Sequence, residues 1–169
     1  MHYAGIDYHK RYSFVSIQDE AGRIVREQRV EHRQPERFRQ LLGHLEEPVS
    51  VVFESSSGWV WLYEILEEIP NVVQITLANP YRVRLIAEAE IKTDRLDARR
   101  LATLQRLGVV PGCYIPDAET RRRKELLRQR AYSPRSARRS GLGEDAHRGQ
   151  EPYCSSAGAA AGGESATGK

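Results

Sequence analysis

The sequence predicts an α/β domain on a mixed sheet that opens with an antiparallel meander, is flanked by helices and ends in a disordered basic tail. Three observations carry this reading. Residues 2–32 alternate with the two-residue period of strands, broken only by short polar turns. From Pro35 to Leu104 a helical period takes over, interrupted by two short apolar runs. From Ser133 to Lys169 there is one Leu and no Ile, Val, Phe, Met or Trp, against seven Gly.

Residues 2–8 read as the first strand. Tyr3, Gly5 and Asp7 lie on one face, and Ala4, Ile6 and Tyr8 on the other. Tyr12 to Ile17 forms a second strand, with Val15 and Ile17 opposite Phe14. Asp19 to Arg23 is a turn, and Arg23 to His32 a third strand through Ile24, Arg26, Gln28 and Val30. Short turns between the three make a meander. Pro35 fits the first position of a helix whose Phe38, Leu41, Leu42 and Leu45 form one stripe, and Pro48 is expected to stop it. Val49 to Glu54 is a short, central apolar strand ending in a carboxylate. Ser55 to Gly58 is a turn with a serine N-cap, and Trp59 to Ile69 a helix burying Trp61, Leu62, Ile65, Leu66 and Ile69. Val72 to Leu77 is another strand, closed by Asn79-Pro80, and Tyr81 to Glu90 a short helix or loop.

Composition bounds the function. The net charge of +3 hides an asymmetry: residues 1–117 hold 15 Lys and Arg against 17 Asp and Glu, residues 118–169 hold 11 against 6. The first part is balanced, as a folded domain is; the basic excess lies in the last third. Cys113 and Cys154 are too few for a disulfide framework or a zinc site. No apolar run approaches membrane-spanning length and no signal-peptide pattern opens the chain, so a soluble, intracellular protein is expected.

The most informative stretch runs from Lys92 to Ala102. As a helix it places Asp94, Asp97, Ala98, Leu101, Ala102 and Leu104 on one side and Arg95, Arg99 and Arg106 on another. The two carboxylates continue the apolar stripe, which is costly unless they are paired or bind a metal. The plainer reading keeps equal standing here: first-turn acids favoured by the helix dipole behind a Thr93 N-cap.

The order β-β-β-α-β-α-β-α with a meander first is that of the RNase H-like, RuvC-like fold. Its first and fourth strands are neighbours, so Asp7, Glu54, Asp94 and Asp97 converge at one sheet edge. Four carboxylates suit magnesium, or manganese, and can hold two ions roughly 4 Å apart that clamp a phosphodiester.

The series Gly5-Ile6-Asp7-Tyr8-His9-Lys10, Phe53-Glu54-Ser55-Ser56-Ser57-Gly58, Asn79-Pro80 and Lys92-Thr93-Asp94-Arg95-Leu96-Asp97-Ala98 with Leu101-Ala102 resembles the N-terminal DEDD domain of IS110-family insertion-sequence transposases, over about residues 2–131. The resemblance implies Asp7, Glu54, Asp94 and Asp97 as metal-binding, catalytic acids. It also implies DNA as substrate, a structured guide RNA, homo-oligomers among full-length relatives, a prokaryotic cytoplasm, and a serine nucleophile in a separate C-terminal domain that this chain is expected to lack. Lys92 matches the motif too, as a supporting ammonium near phosphate. Rival readings are a stand-alone RuvC-like junction resolvase or nuclease, and a non-catalytic nucleic-acid-binding remnant. A sugar-kinase-type nucleotide fold lacks its glycine-rich phosphate loop.

Other residues carry weaker signals. His9 beside the hairpin turn is more often an exposed bystander than a functional group. Ser55, Ser56 and Ser57 lack the Gly-x-Ser-x-Gly surroundings of a nucleophile. Trp61 follows the core period, whereas Trp59 is left open for stacking on bases. Arg95, Arg99 and Arg106 form either a phosphate-binding or a solvated face. The domain is expected over residues 1–117, the start of a basic connector helix over 118–132, and a disordered tail over 133–169. The tail's composition is that of GC-rich codons read out of frame, and it cannot offset its ordering entropy.

Overall fold

The computed structural model describes residues 1–86 and 93–131; the expectations for Lys92 and for the tail from residue 133 lie outside them. The chain runs β1 (His2–Tyr8), β2 (Tyr12–Gln18), β3 (Ile24–Glu31), α1 (Glu36–Gly43), β4 (Val49–Glu54), α2 (Trp59–Glu67), β5 (Val72–Ala78), α3 (Pro80–Ile86), α4 (Asp94–Arg106), α5 (Ala118–Ala131). The five strands lie in the order β3-β2-β1-β4-β5. β1 pairs antiparallel with β2, and β2 with β3, while β1, β4 and β5 run parallel. This is the RNase H-like arrangement; the meander and the central β4 are as the residue pattern predicts, and the β1–β4 adjacency is as the element order predicts.

Each face of the sheet is covered differently. Ala4, Ile6, Val15 and Ile17 point to one side and pack with Phe38, Leu42, Leu62 and Leu66 in one core cluster. On the other side α4 lies directly on β1. A Cβ on Gly5 would sit 2.1 Å from the Ala98 carbonyl oxygen and 2.4 Å from the Ala102 nitrogen. The helix backbone thus occupies the space a side chain would need, and the small Ala98 and Ala102 permit the approach.

The structure differs from the sequence reading at helix ends and at one tryptophan. Pro35 stands at the N-cap, one position before the first helical residue. α1 ends at Gly43 rather than running to Pro48, and the Asn71 side chain donates to the carbonyls of Gly43 (3.2 Å) and Leu45. The N-cap of α2 is Gly58 at φ 88°, not a serine, and no side chain caps that end. Trp59, whose role the sequence left undecided, is 4% exposed and packs in the core. Trp61 is half-buried, its ring 4.7 Å from that of His32. β3 is an edge strand and buries only Val30.

Candidate metal centre at the strand ends

The parallel register sets Ile6 beside Phe53, so Asp7 and Glu54 follow at the next level of adjacent strands. Asp7 projects to the α4 side with Gly5, and Glu54 to the same side with Val52, which packs on Leu101. α4 then brings its first turn to this edge. Thr93 caps it, its hydroxyl accepting from the Leu96 N–H at 3.3 Å. The first turn is thus capped as expected; it brings Asp94 to Asp7 and His9 and leaves Asp97 one turn further along the helix.

His9 joins the acids. Its Nε2 lies 2.9 Å from Asp7 Oδ2 and 3.3 Å from Asp94 Oδ1. The Tyr12 hydroxyl donates to Asp94 Oδ2 at 2.9 Å. Tyr12 is itself held between rings and charge, with His9 stacked at 4.6 Å and the Arg29 guanidinium 3.7 Å from its centroid. One ligand atom each from Asp7, His9 and Asp94 lies within 4.8 Å of the others. Asp97, one turn along α4, accepts from Arg100 Nη1 at 3.2 Å, and Glu54 ends β4 beside β1 without being one of the three.

The electrostatics call for a cation. Burial pushes the Asp7 carboxyl above the usual carboxylate range; His9 pulls it back, and the negative charges of Asp94 and Asp97 push it up again. The hydrogen bond to Asp94 likewise raises the Tyr12 phenol. Three half-buried carboxylates with one imidazole between two of them make a hard-oxygen donor set with a charge surplus that a divalent ion would neutralise. The residues present fit such an ion, with His9 offering a nitrogen atom beside the carboxylate oxygens.

The predicted basic face of α4 turns toward the meander. Arg99 forks onto Glu27, Nε to Oε1 at 2.6 Å and Nη2 to Oε2 at 2.8 Å. Arg95 adds a 3.3 Å contact to the same carboxylate with its side chain 60% exposed. Arg106 reaches the Glu20 carbonyl at 3.5 Å and packs on Gly22. Ser13 approaches His32 Nε2 at 2.9 Å, a serine–histidine contact, but Ser13 is fully buried and out of reach of a substrate.

Sequence reasoning discounts His9 and passes over Tyr12. For His9 a signal existed: it stands two residues beyond Asp7, and period two returns it to the same side. For Tyr12 none did, because only the hairpin register, closed by the His9 N–H on the Tyr12 carbonyl at 2.9 Å, sets it beside the acids.

An RNase H-like sheet with Asp7 of β1 and Asp94 of α4 brought together at the strand ends defines the class. Residues 4–140 match the DEDD transposase family of IS110-type elements, described as "Transposase", and the chain belongs to that family. The family implies a divalent metal and DNA binding, and the acidic cluster is present. No curated protein matches the chain. Among solved structures it is similar to T. thermophilus RuvC in complex with Holliday junction substrate, at 15% identity and a TM-score of 0.44, over 66% of this chain and 99% of that one. No helix among the described residues is long and apolar enough to cross a membrane.

Proposed function

We propose that Asp7, Glu54, Asp94 and Asp97 hold two magnesium or manganese ions and cleave DNA strands during transposition of an insertion element. One observation carries this reading: Asp7 on β1 and Asp94 on α4, far apart in sequence, both lie within 3.3 Å of His9 Nε2. When bound, such ions supply electrostatic stabilisation to the attacking and leaving oxygens of a phosphodiester. Asp7 and Asp94 would hold the ions, the Tyr12 hydroxyl orients Asp94, and His9 Nε2 stands between the two carboxylates. Lys92, Arg95, Arg99 and Arg106 are proposed as phosphate contacts. Arg95 is the most available of those described, whereas Arg99 would first release Glu27. The reading extends to a structured guide RNA, a homo-oligomeric full-length assembly, a cytoplasmic setting, and a folded unit ending near residue 117.

The same reading makes this polypeptide unable to recombine DNA by itself, since the resemblance assigns the serine nucleophile to a separate domain. The test is incubation of the purified chain with junction, linear and donor-element DNA in either metal. Metal-dependent nicking without excised or integrated product is expected, and Asp7→Asn should reduce nicking by roughly 100-fold or more. Joined product from the chain alone contradicts the division of labour. Absence of nicking with both ions favours a binding remnant.

A further inference from the structure

We propose that the cavity between α2 and α5 receives an unpaired base and the adjoining phosphates of a single DNA strand. The cavity measures about 350 Å³, and Trp59, Trp61 and Pro116 give it an aromatic and apolar wall. Four basic side chains, Arg121 and Arg122 among them, line it against two acidic ones. A π-surface bordered by guanidinium groups is the chemistry that takes a base and its phosphates together. Base pairing would keep a base out of such a recess, so a single strand is the fitting occupant.

A second, independent observation points to a missing acceptor. Trp59 Nε1 and Arg121 Nε are both buried without a hydrogen-bond partner, and both residues belong to the cavity wall. Buried donors are satisfied in the great majority of folded proteins, so two orphans among the residues of one wall set this cavity apart. Arg121 is otherwise fixed for the task, with Nη1 donating to the Pro116 carbonyl at 2.9 Å and its guanidinium 4.9 Å from the Tyr63 centroid.

The position fits a strand leaving the acids. Tyr8 follows Asp7, its hydroxyl donates to the carbonyl of Gly58 at the start of α2 at 3.4 Å, and its ring lies 6.5 Å from Trp61. Cavity and carboxylates thus flank the same end of β1. That the strand is DNA rests on the function proposed above; the cavity's fit to a single strand does not.

The test is binding of the full 169-residue chain to a labelled oligothymidylate in EDTA, which separates it from any failure of the metal site. The chain has two tryptophans, both in the cavity wall, so their emission reports occupancy directly. Saturable quenching is expected. Arg122→Glu with Lys124→Glu should weaken binding by about tenfold or more, while Arg123→Glu with Arg130→Glu, the same charge change on α5 away from the cavity, should weaken it less than about threefold. Equal losses in the two variants would make α5 a diffuse charge and overturn the proposal. So would unchanged emission, equally tight binding of a duplex of the same length, or a clear preference for oligouridylate.

Discussion

The two faces of the sheet are built from different materials. Under α1 and α2 lie Ala4, Ile6, Val15 and Ile17, met by Phe38 and Leu42 of α1, all essentially without solvent exposure and without polar atoms in their side chains. Under α4 lie Gly5 and a set of buried or half-buried polar side chains. Gln18 Nε2 donates to the Arg99 carbonyl and to Thr103 Oγ1, each at 3.1 Å. Gln105 Nε2 donates to Ser50 Oγ at 2.8 Å and to Thr76 Oγ1 at 2.9 Å. Apolar burial is non-directional and tolerates sliding. Hydrogen bonds and a backbone seated on a glycine do not, so the α4 face fixes the rotation and height of the helix that presents Asp94 and Asp97 to Asp7.

The contrast can be broken from either side. Phe38→Ala on the dry face should cost about 3–5 kcal/mol in urea unfolding, yet leave the stabilisation by manganese intact, because α4 keeps its seat. Gly5→Ala sets a methyl against the α4 backbone, so it should cost about 3 kcal/mol or more and also remove most of the manganese response, because the methyl displaces α4 from the acids. The same loss of metal response in both variants would mean that the faces do not divide their work.

A smaller effect sharpens the picture at the edge of the α4 face. Hydrogen bonding from Arg99 holds the Glu27 carboxyl below its ordinary value of 4.5, against the opposing effect of burial. A depressed carboxylate contributes stability that is full above its unfolded value and is lost as pH falls through the folded one. The melting advantage of the wild type over Glu27→Gln should therefore be full at neutral pH and close on acidification below 4.5. A gap unchanged down to about pH 3 would show that the pair contributes through shape rather than charge.

Much of this was legible in the residues. The strand period of β1 and β2, the stripe of α1 and the apolar run of β4 determine the layers, and the Asp94–Asp97 spacing places both acids at the inner side of α4. Chain reversals were less legible. The end of α1 depends on Asn71, 28 residues beyond the Gly43 carbonyl it satisfies, and no local pattern contains that bond. Trp59 is buried because Gly58 turns the chain through a left-handed conformation, which the Ser-rich turn obscures. The Arg face of α4 reads as solvent-facing until β3 supplies Glu27 from 72 residues away. Tyr12 reaches Asp94 across a separation of 82 residues for the same reason: its role exists only in the folded register.

The central claim is that the acids of β1, β4 and α4 form one divalent-metal site, and thermal unfolding of the 169-residue chain with and without magnesium or manganese tests it most directly. A ligand that binds only the folded state stabilises it by about 2.7 kcal/mol at a concentration 100 times its Kd. The expected result is a rise in melting temperature with either ion that disappears in Asp94→Ala with Asp97→Ala. A rise of undiminished size in that double variant would contradict it.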